Sequence, residues 1–144
     1  MNSSIVVDAN LAVFSVIKTS HSIVAVRVMD HIAEHGYEPY APGLWWYEVT
    51  SVIHRYRFAR MITDATAYQA IELLTVSLGV HKIDVPMRAA FDWATRLSQK
   101  AAYDGFYLAA AEQLGAELWT ADQALVNNAR QIGASWVRWM GETP

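Results

Sequence analysis

The chain contains no cysteine, which excludes disulfides, thiolate metal sites and cysteine nucleophiles together and leaves any chemistry to oxygen and imidazole groups. It has no stretch of about 20 uninterrupted apolar residues, the length a helix needs to cross a bilayer, so no membrane association is expected. Asp8 interrupts the only apolar run near the N-terminus, and neither a basic leader segment nor a small-residue cleavage site accompanies it. That argues against a secretory signal and for the cytosol. Positive charge is scarce: 11 Lys and Arg stand against 14 Asp and Glu, for a formal charge of -3. This is too little to hold nucleic acid on a broad basic surface, which draws on many Lys and Arg. Internal repeats, low-complexity tracts and linkers are also missing.

Core-forming material is abundant. Hydrophobic residues make up 53% of the 144, with six Trp, seven Tyr and four Phe, a composition that excludes a disordered chain. The length suits one domain over residues 1–144. Periodicity predicts β-strands at residues 4–7, 37–41, 80–85, 117–120 and 136–139. Helices are predicted at 9–17, 22–35, 44–60, 64–77, 86–99, 104–114 and 122–132. Thr19 and Ser20 offer cap chemistry for the second helix, Thr63 and Asp64 cap the fourth, and Gly36 and Gly115 stand where helices end. Strands alternating with helices imply right-handed crossovers and a parallel sheet covered on both faces, an α/β fold in three layers.

Such a sheet binds ligands at the carboxyl ends of its strands. Asp8 directly follows the first strand, Asp122 follows the fourth by two residues, Glu48 lies early in the helix after the second, and Asp104 opens the helix before the fourth. Each acid alone reads as a helix cap or a first-turn carboxylate stabilised by the macrodipole. Four at one sheet edge would repel one another, and a divalent cation relieves that repulsion. Oxygen donors without His or Cys select Mg2+ or Mn2+ over Zn2+. A site of this kind suits phosphodiester hydrolysis.

The strand followed by Asp8-Ala9-Asn10, the segment from Pro42 to Glu48, the block Ala102-Tyr103-Asp104-Gly105-Phe106-Tyr107-Leu108-Ala109-Ala110-Ala111-Glu112, and Thr120-Ala121-Asp122 together resemble the successive motifs of PIN-domain ribonucleases, closest to the VapC-like toxins. The resemblance spans almost the whole chain. It implies a five-stranded sheet in the order 3-2-1-4-5, with Asp8, Glu48, Asp104 and Asp122 as the metal-binding acids and Asn10 and Thr120 supporting ligands or waters. It further implies cleavage of single-stranded RNA with Mg2+ or Mn2+, a homodimer, and inhibition by a cognate VapB-like antitoxin. Ala9 and Gly105 depart from the pattern, which more usually has Ser or Thr and Ala at these places.

Other residues point elsewhere. His31-Ile32-Ala33-Glu34-His35 matches H-x-x-E-H, a zinc metallopeptidase pattern. A helical wheel puts Val24, Val28, Met29 and Ile32 on the buried face and Arg27, Asp30, His31 and Glu34 on the other, and the helix then stops without an obvious third ligand. A serine triad lacks its Gly-x-Ser-x-Gly elbow. A phosphatase or receiver domain would need Asp where Asn10 stands. A third class, a non-catalytic acidic binding module, would leave the four acids structural. Arg55, seven positions beyond Glu48, returns to the same helix face and is placed either to contact a phosphate or to pair with a site acid. Arg57 points away. Trp45, Trp46 and Tyr47 flank Glu48 and suit either base stacking or, for the Trp pair, core or dimer packing. Tyr103 and Trp119 are assigned to the core beside the site.

Overall fold

A computed structural model describes residues 3–144. Five short segments form a single parallel sheet: β1 (Ser4–Val7), β2 (Glu38–Pro42), β3 (His81–Ile83), β4 (Glu117–Thr120) and β5 (Val137–Trp139). Their order is β3-β2-β1-β4-β5, as expected. Val6 stands opposite Tyr40 on one side and Leu118 on the other, and Leu118 in turn opposite Val137.

Alternation along the strands feeds two cores. Ile5 and Val7 pack with Leu11, Ala25, Val28, Ile32 and Trp119 on one face. Val6 and Leu118 pack with Ala41, Trp45, Val49, Leu108 and Val126 on the other. The helices α1 (Ala9–Val16), α2 (Ser22–Glu34), α3 (Leu44–Phe58), α4 (Asp64–Glu72), α5 (Met87–Arg96), α6 (Tyr103–Leu114) and α7 (Gln123–Gln131) supply the outer layers. None of them is long and apolar enough to cross a membrane.

Several element ends differ from the sequence-based expectation, each for a local reason. Residue 37 does not join β2, because Gly36 turns left-handed at φ 66° and the Tyr37 N–H bonds back to the Ile32 carbonyl at 3.0 Å. That amide is spent closing α2. The cap residue of α2 is His21, which makes no side-chain cap bond. Ser22 Oγ accepts from the Thr19 N–H at 2.8 Å instead. Thr63 caps α4 as expected, with its Oγ1 accepting from Thr66 N–H at 3.1 Å, but the helix widens into a π-helical turn over Leu73–Ser77. β3 keeps only three of the six residues expected, and pairs with β2 alone. α5 ends at Arg96, before the expected 99, and Ser98 turns left-handed at φ 54°.

α5 and α6 pack against each other so closely that a Cβ on Gly105 would lie 2.2 Å from the Ala90 carbonyl oxygen. The glycine in place of the more usual alanine thus follows from backbone contact.

Candidate active site

Asp8 leaves β1 in an extended conformation and becomes the N-cap of α1. Its Oδ1 accepts from Leu11 N–H at 2.8 Å and its Oδ2 from Ala121 N–H at 3.1 Å. The Thr120 hydroxyl also donates to Asp8 Oδ2, while Thr120 Oγ1 accepts from Asp122 N–H at 3.0 Å. Asp122 caps α7, its Oδ1 accepting from Leu125 N–H at 3.0 Å. The same two carboxylates thus cap helices and line one cavity. One buried hydroxyl, on a Thr120 that is 1% exposed, bridges the side chain of one acid and the backbone of the other across β1 and β4.

The remaining two acids come from the helices on one face. Glu48 projects from α3, and its Oε1 accepts from the Tyr107 hydroxyl at 2.5 Å. Asp104 lies in the first turn of α6 and its Oδ2 accepts from Gln99 Nε2 at 3.0 Å. All four acids line one cavity of about 70 Å3 together with Ala9, Asn10, Tyr107 and Thr120. The structure thus brings together all four acids that the sequence placed at the carboxyl edge of the central strands. Ala9 presents only a methyl group there.

Burial pushes Asp8 up to about 6, against the hydrogen bonds from Thr120, Leu11 and Ala121, and the charge of Glu48 adds to the rise. Glu48 is raised by burial and by the charge of Asp104, against the Tyr107 hydrogen bond and the charge of Arg55. Asp104 is raised by burial and by Asp122, against the Gln99 hydrogen bond. Tyr107 is raised by its burial and by the Glu48 charge beside it, so it stays a donor. Among the described residues no Lys, Arg or His forms an ion pair with any of the four acids.

This donor set suits a hard divalent cation. Each ionised carboxylate offers about four acceptor positions, and protein donors occupy only one to three of them here. The donors are oxygens throughout, which favours Mg2+ or Mn2+ over softer metals. Among the described residues no three His, Asp or Glu side chains form a ready-made ion-holding group.

Two contributors escaped the sequence reading. Tyr107 carried a signal: it follows Asp104 by three residues on α6 and so shares its face. Gln99 carried none, because the left-handed turn at Ser98 is what aims it at Asp104. Asn10 is exposed at the rim of the cavity. Arg55 acts on Glu48 through its charge without an ion pair. Arg57 points away, as expected, to Asp64 at 3.8 Å. Trp45 is fully buried and meets Trp46 edge to face at 4.9 Å, so it packs the core and is closed to bases. Trp119 is buried as expected, whereas Tyr103 is 63% exposed. The core assignment of Tyr103 is corrected: as the first residue of α6 it precedes the turn that packs on α5. The His31 and His35 rings lie 4.1 Å apart, and His35 stacks on Tyr37 at 5.8 Å. They stand where α2 leads into β2, at the amino edge of the sheet, opposite the acids.

No protein-family model matches the chain, and no curated protein does. Among solved structures, the crystal structure of PAE2754 from Pyrobaculum aerophilum is similar, with a TM-score of 0.66 and 18% identity over 97% of this chain and 92% of that one. At that identity the likeness speaks for the fold.

Proposed function

We propose that this protein is a metal-dependent endoribonuclease of the PIN-domain type, the toxin of a toxin–antitoxin pair. The observation that carries the reading is the convergence of Asp8, Glu48, Asp104 and Asp122, from four separate elements, on one cavity, with no ion pair to any of them among the described residues. Carrying several like charges into one half-buried place raises their proton affinity and costs stability. A purely structural cluster would gain nothing from that cost.

In this reading the four acids hold Mg2+ or Mn2+, which when bound supplies a water of lowered pKa and neutralises charge on the phosphate. The chain's own groups do the positioning. Thr120 orients Asp8 and the Asp122 backbone, Tyr107 orients Glu48, and Gln99 orients Asp104. Arg55 offers a charge to a neighbouring phosphate of single-stranded RNA. Hydrolysis adds water across the scissile bond: hydroxide joins phosphorus, the bond to the 3′ oxygen breaks, and that oxygen takes the proton, leaving a 3′-hydroxyl and a 5′-phosphate. A cognate VapB-like antitoxin placing a basic side chain among the acids would inhibit it by charge complementarity. A homodimer working in the cytoplasm completes the proposal.

The test is cleavage of unstructured RNA by purified protein with Mn2+. Asp8→Asn and Asp104→Asn should each lose activity at least a hundredfold, on the order of 2.7 kcal/mol of transition-state stabilisation. Cleavage by either variant at the wild-type rate would refute the assignment.

A further inference from the structure

The acid cavity has a neighbour at Asn10. Asn10 also lines a second cavity of about 370 Å3, walled by Phe14, Val52, Arg55, Tyr56 and Met61. Helical spacing explains its shape. Asn10 and Phe14 are one turn apart on α1, while Val52, Arg55 and Tyr56 follow Glu48 along one face of α3, and the two helices pack side by side. The two cavities therefore adjoin at Asn10, and together they form a trough beside α1 and α3 with the carboxylates at one end and the turn into α4 at the other.

The chemistry changes along that trough. It is anionic at the acid end, carries a carboxamide at Asn10 and a guanidinium at Arg55, and finishes in aromatic and thioether surface at Phe14, Tyr56 and Met61. Arg55 is exposed in the wall of the second cavity, and its charge reaches Glu48 in the first.

We propose that this second cavity is a subsite for one unpaired nucleotide of the RNA, with the base against Phe14, Tyr56 and Met61, a phosphate on Arg55, and Asn10 at the base edge. The inference rests on the endoribonuclease reading above. The volume lies at the low end of ligand pockets, roughly 300–1,000 Å3, which suits a single nucleotide. An apolar wall ending in a cation complements a base with its attached phosphate, and single-stranded readers use aromatic surfaces in this way. The Asn10 carboxamide both donates and accepts, so it discriminates among base edges. The consequence is a fixed offset between a preferred base and the cut.

The experiment has two arms. In EDTA, where no cleavage occurs, each of the four nucleoside 5′-monophosphates is titrated into the full chain while backbone amide resonances are followed. Saturable shifts at Phe14, Arg55 and Tyr56 are expected, stronger for some bases, and weakened about tenfold in Arg55→Met and in Met61→Ala. Both substitutions are at exposed positions and leave the core alone. In Mn2+, cut positions on unstructured RNA are mapped for the same proteins, and the base preference at one position should flatten at least fivefold, with KM rising more than kcat falls. RNA cleavage with no mononucleotide shifts, or with an unchanged base preference in both variants, overturns the subsite and leaves the ribonuclease reading standing. Mononucleotide binding at Phe14 and Arg55 without any RNA cleavage supports a nucleotide site and overturns the ribonuclease reading. A change in sedimenting mass in the variants, with base preference intact, assigns the trough to contact between copies of the chain and overturns the subsite.

Discussion

Replacing Asp8 by Asn should make the metal-free protein progressively more stable, relative to wild type, as pH rises from below 3.8 to above about 6. Burial raises this carboxyl in the folded state, so the fold binds a proton more tightly than the unfolded chain does. Its stabilising contribution is fully present below 3.8, the ordinary value, and is lost as pH climbs through about 6. A rise from 3.8 to about 6 corresponds to about 3 kcal/mol at 1.36 kcal/mol per pH unit. Asn carries no charge and escapes that loss. It also gives up part of the acceptor capacity that now serves Leu11, Thr120 and Ala121, but this cost does not vary with pH. Most other carboxylates titrate alike in both proteins and cancel, and the relief of Glu48, whose charge couples to Asp8, acts in the same direction. Urea unfolding in EDTA at a series of pH values gives the difference directly, provided the denaturant slopes agree. The difference should grow by about 3 kcal/mol across the window. A flat difference, or one that shrinks with pH, would refute the burial argument. Adding Mn2+ at a hundred times its dissociation constant should then stabilise wild type by about 2.7 kcal/mol and the variant much less; equal stabilisation of both would remove Asp8 from the ion site.

Tyr107→Phe removes the donor to Glu48 while keeping the ring that packs the core. Far-UV circular dichroism should be unchanged and Mn2+ affinity by calorimetry should fall about 10- to 100-fold, the usual effect of losing a ligand-orienting hydrogen bond; unaltered affinity would mean the bond does not orient the acid. Gly105→Ala forces a methyl against the Ala90 carbonyl, and thermal unfolding should report a loss of about 1–3 kcal/mol from the displaced α5 and α6 packing. A Tm equal to wild type would show that the helices can separate freely.

The acids and the sheet were legible for the same reason. Asp8 and Asp122 are local features: each lies within two residues of a strand's end and caps the helix that follows, so their address at the carboxyl edge is written in a few neighbouring residues. The alternation of β-branched runs with amphipathic helices likewise dictates a parallel sheet. Glu48 and Asp104 could be placed at that edge only by assuming the crossovers, which the strand pairings bear out. The start of β2 and the end of α5 were missed because the left-handed turns at Gly36 and Ser98 spend backbone amides on helix closure. An amide so used cannot extend a strand or a helix.

Sequence by itself thus determined the fold class, the expected strand order through its family resemblance, and the four carboxylates. Tertiary structure decided what holds each of them: a tyrosine 59 positions from Glu48, a hydroxyl 112 positions from Asp8, and a glutamine swung into place by one turn. It also decided that Trp45 fills the core while Tyr103 faces solvent, and that a second cavity between α1 and α3 adjoins the acid cavity at Asn10. Local patterning sets which way a strand runs and where its cap falls. Which distant side chains meet depends on how closely the helices approach, and that is settled only when all of them pack on the sheet together.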